Sequence, residues 1–143
     1  MPSLTELASY LESIAPAQIA ESWDNVGVLV RCAQEVTGVL CALDITPATV
    51  REARAVGCNA IVSHHPVIFR PLKELRQDDV PALLVREGVS AVCMHTNLDK
   101  AQGGVNDVLA QALGLRDTEP FAGGIGRVGV LPETMEAAAF AQF

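Results

Sequence analysis

Aromatic residues are scarce in this 143-residue chain: four phenylalanines, one tryptophan and one tyrosine, 4% of the total. The core must therefore be aliphatic, and half of the chain is hydrophobic, with a mean hydropathy of +0.29. Basic residues are in deficit, 10 Lys and Arg against 17 Asp and Glu, for a net charge of −7. That balance argues against a general nucleic-acid-binding surface or an anionic-membrane surface. No apolar run approaches the roughly 18 residues of a membrane span. The N-terminus also lacks the basic segment followed by an apolar one that marks a secretory signal. Cys32, Cys41, Cys58 and Cys93 have no C-x-x-C spacing, and most lie in or beside apolar strand-like runs. They read as buried free thiols of a reducing, cytoplasmic compartment rather than disulfides or thiolate ligands. Repeats and low-complexity tracts are absent, and the length suits one domain with a real core.

Histidine is also rare, and its placement is informative. Only three are present, His64, His65 and His95. The run Ala60 to Val62 reads as a buried strand that delivers His64 and His65 at its carboxyl end, where Pro66 keeps the exit extended. A second apolar run, Val89 to Met94, ends on His95, with Asp99 four residues later. In open α/β sheets that edge is where ligands bind. Imidazole plus carboxylate suits a divalent transition metal. A lone histidine is more often structural, but a pair at one strand end with His95 and Asp99 at another points to a metal centre. Adjacent side chains diverge from an extended backbone, so each ring of the pair is expected to serve a different ion. Two metals about 3.5–4 Å apart, bridged by Asp99, fit that divergence.

Around these stretches the chain alternates helix and strand. Ser3 and Glu6 form a capping box for a helix with Leu4, Leu7, Leu11 and Ile14 on one face, stopping before Pro16. Strands follow at Val28 to Val30 and Val36 to Leu43, and Thr46-Pro47 opens a helix that Gly57 ends. The polar segment Phe69 to Asp79 crosses the sheet edge, Pro81 to Glu87 is a helix closed by Gly88, and Gly103-Gly104 is flexible. A helix starts at Asn106 or Asp107 and ends at Gly114. Gly123 to Gly126 reads as a turn, and Ile125 to Leu131 as a further strand. The fold class is therefore α/β, a mostly parallel sheet with helices on both faces. The lobe spans residues 1–131. Residues 132–143 begin a further helix, with Met135, Phe140 and Phe143 needing cover, and are expected to be truncated or covered by another subunit. Asp44 ends a strand and is either a ligand or a helix cap. Trp23-Asp24-Asn25 is either a lid or a packing corner.

Together, Ser22-Trp23-Asp24-Asn25-Val26-Gly27, Ala42-Leu43-Asp44, Ser63-His64-His65-Pro66, His95-Thr96-Asn97-Leu98-Asp99 and Gly124-Ile125-Gly126-Arg127-Val128-Gly129 resemble the Nif-three-like family. Its members commonly carry the name GTP cyclohydrolase I type 2 homologue. The resemblance runs in order through nearly the whole chain, and the motifs are specific as a set. It implies a two-lobed α/β protein with a dinuclear metal site, assembled as a toroidal homohexamer. The family's histidine pair falls on His64 and His65, its bridging aspartate on Asp99, and His95 matches a neighbouring histidine that reads as a proton carrier and catalytic residue. The family's second lobe returns a further histidine and glutamate to the metals, and this chain stops before it. The chain is therefore expected to self-associate and to bind its two divalent ions, zinc, iron or manganese, weakly or incompletely.

The function that follows is a dinuclear metal-dependent hydrolase acting on a small molecule, by resemblance a purine nucleotide. The alternative is a non-catalytic metal-binding or interaction protein. A phosphoesterase of the D-H-H type fits poorly, since Ser63 precedes the histidine pair and the D-x-D companion is missing.

Overall fold

A computed structural model describes residues 1–142, so Phe143, expected to need cover, lies outside the described residues. Helix α1 (Leu4–Ile14) begins as its sequence demands. The Ser3 hydroxyl accepts from the Glu6 amide at 3.1 Å, and the Glu6 carboxylate accepts from the Ser3 amide at 2.7 Å. Strand β1 (Gly27–Val30) follows, and then the chain winds β2 (Val39–Ala42), α2 (Pro47–Ala55), β3 (Ala60–Ser63), α3 (Val80–Glu87), β4 (Ser90–Cys93). Thr46 caps α2, with Pro47 in its first turn. Gly88 closes α3 at φ +67°, a conformation that costs glycine nothing.

The four strands form one sheet in the order β1-β4-β3-β2, with β2, β3 and β4 parallel and β1 antiparallel to β4. Ile61 lies between Leu40 and Ala91, and Val62 between Cys41 and Val92. Successive side chains alternate between faces, so the sheet has two cores. Ile61 and Ala91 pack with Val50, Ala53 and Leu84 under α2 and α3. Ala60 and Val92 pack with Leu4, Leu7 and Leu11 of α1 on the opposite face. The expectation of a mostly parallel sheet with helices on both faces is thereby met.

After β4 the chain forms α4 (Thr96–Lys100), α5 (Val105–Ala112), β5 (Arg116–Phe121), β6 (Gly126–Val130) and α6 (Ala137–Phe140). Strands β5 and β6 make a separate antiparallel hairpin. Three differences from the sequence reading have physical causes. Strand β2 starts at Val39 because Val36 is drawn to the N-terminus, its amide donating to the Pro2 carbonyl at 2.8 Å. Strand β5 is exposed throughout and carries polar residues in most positions, so no alternation announces it. Gly104 is a close-approach residue rather than a flexible one, because an added Cβ would meet the Leu98 carbonyl oxygen at 1.9 Å.

Leu84 is fully buried beneath the sheet. Leu84→Ala is expected to lower stability by about 2–5 kcal/mol, through lost transfer energy and the cavity left behind. Urea denaturation measures it, and a loss below about 1 kcal/mol would contradict the packing described here.

Candidate metal centre

The parallel strands end side by side, and the ladder runs on past them. The His64 amide donates to the Ala42 carbonyl at 3.1 Å, the His65 amide to Leu43 at 2.9 Å, and the Met94 amide to Ser63 at 2.9 Å. Strand-like pairing thus fixes the backbone under His64 and His65, while His95 follows one residue after Met94. The three rings meet, with centroids 5.2 Å apart for His64–His65, 5.2 Å for His64–His95 and 5.7 Å for His65–His95. One ligand atom from each lies within 4.8 Å of the others.

Each ring is anchored through the same nitrogen. His64 Nδ1 donates to the Met94 carbonyl at 3.0 Å. His65 Nδ1 bonds Asp44 at 2.8 Å, and His95 Nδ1 bonds Asp24 at 2.8 Å. A carbonyl or carboxylate only accepts, so the proton sits on Nδ1 and the Nε2 lone pair of each neutral ring is left for another partner. Such outward anchoring orients metal-binding histidines. Asp99, on α4, lies 3.6 Å from His64 Nε2. Two ligand atoms on one tetrahedral ion stand about 3.4 Å apart, given bonds of about 2.0–2.2 Å, so that gap suits a shared cation. Three imidazoles ringed by Asp24, Asp44 and Asp99 make a donor set that fits a divalent transition ion.

Asp24 is the residue sequence reasoning left unassigned. Its side chain has no exposed surface. It accepts from the Thr96 amide at 3.1 Å and from the Thr96 hydroxyl as well as from His95, and so caps α4. Burial pushes its pKa up, but bonds from the Thr96 hydroxyl, the His95 ring and the Asn25 and Thr96 amides outweigh it. The net shift is downward from 3.8, so Asp24 is held as a carboxylate. Asp44, whose role stood open, goes to His65 rather than to a cap, because Thr46 caps α2. Neither pairing has a local signature, the partners being 71 and 21 residues apart. Trp23 is 59% exposed and meets Phe69 edge to face, which makes it no packing corner.

The family model described as Duf34/NIF3 (NGG1p interacting factor 3) matches residues 2–143. The chain belongs to the Duf34/NIF3 family. The resemblance carried by the tryptophan, histidine and glycine motifs is thus borne out. Among its relatives, a protein of Staphylococcus aureus (strain MRSA252) named GTP cyclohydrolase 1 type 2 homolog is 42% identical over 118 residues. That match covers 80% of this chain and 32% of the relative, so the chain spans about a third of its length. Among solved structures, a Bacillus cereus protein related to NIF3 is 40% identical, with TM-score 0.76, over 83% of this chain and 34% of that one. Reduced HcgD from Methanocaldococcus jannaschii is 26% identical, with TM-score 0.86, over 99% of this chain and 58% of that one.

The thiols divide differently from the sequence reading. All four cysteines are free, but only Cys93 is buried, while Cys41 is exposed because β2 is an edge strand whose α1-side face is uncovered. Cys93 lies under His64, its Sγ 3.2 Å from the His64 carbonyl. Burial, with the charge of Asp24, pushes its pKa up to about 12, which leaves it protonated and outside the ligand set. An alkylating reagent at about pH 8 is therefore expected to modify Cys41 first in the native protein and Cys93 only after denaturation. Rapid native labelling of Cys93, read by peptide mass mapping, would contradict this burial.

Proposed function

We propose that this chain is the metal-binding lobe of a divalent-metal-dependent hydrolase. The observation that carries the reading is the three-imidazole cluster, with every Nδ1 anchored outward and every Nε2 left free. In this reading His64, His65 and Asp99 would hold two divalent ions, zinc, iron or manganese. The chemistry such ions supply when bound is acidification of water, which makes hydroxide available near neutrality.

His95 is the catalytic residue. Its Nδ1 is committed to Asp24, which keeps the proton on that atom and stabilises the imidazolium that forms when Nε2 accepts a second one. Nε2 therefore takes a proton from the attacking water and returns it to the leaving group. Asp44 holds His65 in the matching tautomer. The side chains of His64 and His95 are 19% and 18% exposed, which keeps bulk water thin around them. The name of the Staphylococcus aureus relative supports a purine nucleotide as substrate, and the resemblance implies hydrolytic opening of its imidazole ring with release of formate. The four free thiols support a reducing, cytoplasmic setting, and the resemblance supports a homohexamer.

A second reading is a non-catalytic metal-binding interaction protein. It is favoured by the family's description as an interacting factor. An open apolar groove of about 520 Å³ also lies beside His64, lined by Leu11, Ile14, Leu43, Leu98 and Val105 among others.

Elemental analysis after dialysis separates the roles. His64→Ala and His65→Ala are each expected to lower bound metal at least several-fold, as loss of a ligand does, whereas His95→Gln keeps metal and loses turnover. Unchanged metal in both alanine variants would remove the site. Absence of turnover by the metal-loaded protein across nucleotides and phosphoesters would leave the interaction reading.

A further inference from the structure

The Trp23-Asp24-Asn25 run does three separate jobs, and only the middle one belongs to the metal centre. Asp24 turns inward to His95 and Thr96. Asn25 turns to the opposite loop, its side-chain amide donating to the Ile68 carbonyl at 2.6 Å. That tether joins the Trp23 loop to the Phe69 loop. Trp23 and Phe69 then meet at 6.0 Å between centroids and 72° between planes. Phe69 in turn stands edge-on to His95 at 6.4 Å and 88°.

Both aromatic rings keep large exposed areas, 59% for Trp23 and 42% for Phe69. This chain has only one tryptophan and four phenylalanines, and two of these five rings sit together on the rim of the histidine cluster. A T-shaped pair leaves ring faces uncovered, and an uncovered aromatic face is the surface on which planar rings stack. The partners hydrogen-bonded to the three imidazoles are two carboxylates and a carbonyl. Those partners themselves offer an anionic group no attraction; metal ions held there would, so exposed ring faces add selectivity for the flat, uncharged part of a substrate.

We infer that Trp23 and Phe69 form a recognition platform for a flat heteroaromatic ring, held so that a neighbouring bond of the ligand faces His64, His65 and His95. Asn25 is a positioning residue that keeps the two loops in register. The inference rests on the hydrolase reading for its geometry toward the histidines and names the feature that selects the substrate.

Trp23 is the sole tryptophan and so reports on its own site. The probes are guanosine and adenosine 5′-monophosphates, with ribose 5-phosphate as the ringless control, titrated against the zinc-loaded protein. Saturable quenching by the two nucleotides, with none by ribose 5-phosphate, is expected. Phe69→Ala is expected to weaken nucleotide binding roughly fivefold to a hundredfold, the usual cost of removing one stacking ring, with bound zinc unchanged. Calorimetry on Trp23→Leu should find a similar loss. Equal binding of all three probes, or no binding of either nucleotide, would overturn the platform. So would a Phe69→Ala variant that binds nucleotide normally, or one that loses its zinc. Nucleotide binding without turnover would retire the hydrolase reading and leave the platform. Turnover of ringless phosphoesters that Phe69→Ala does not affect would do the reverse.

Discussion

A carboxylate with no exposed surface is stable only if hydrogen bonds replace its lost water, and Asp24 obtains them all from two neighbouring stretches of chain. That requirement organises the site. The same carboxylate that needs the Thr96 amide and hydroxyl starts α4, and α4 carries Asp99 toward His64. Its remaining bond holds the His95 ring by Nδ1 beside the other two rings, 5.2 and 5.7 Å away between centroids. One buried charge therefore sets the tautomer of a histidine, the origin of a helix and the position of a second carboxylate. Removing it would leave buried donors without partners, which costs more than the bonds themselves contribute.

The parallel sheet supplies the rest of the geometry. Strands β2, β3 and β4 run the same way and end together, so residues far apart in the chain share one edge. Asp44, His64 and His95 each follow one of these strand ends. Helices α2 and α3 pack on one face and α1 on the other, which holds the edge rigid without any of them entering it. Rigid elements set ligand atoms more finely than loops do, and the backbone ladder through His64 and His65 extends that rigidity to the histidine pair.

Much of this was legible from local patterns. The Ser3–Glu6 box, Pro47 at the start of α2, Gly88 after α3 and the aliphatic runs of β3 and β4 each carry their signal within a few residues, and the structure follows them. So did the fact that every histidine lies at a strand end. The pairing of His95 with Asp24 was not legible, because it depends on tertiary folding across 71 residues. Helix α4 escaped notice since five residues are too few for a hydrophobic period, and its cap comes from a distant side chain. Strand β5 exists through its pairing with β6 rather than through its own composition. The exposure of Cys41 follows from β2 lying at the sheet edge, a matter of strand order that apolar sequence cannot reveal.

The central claim is that the imidazole nitrogens of His64 and His65 are metal ligands. X-ray absorption at the zinc edge of the zinc-loaded protein tests it without reference to activity. The account predicts a first shell of nitrogen and oxygen at about 2.0–2.1 Å, with the outer-shell scattering of at least two imidazole rings. A shell containing sulfur at about 2.3 Å, or an oxygen-only shell without imidazole scattering, would contradict it.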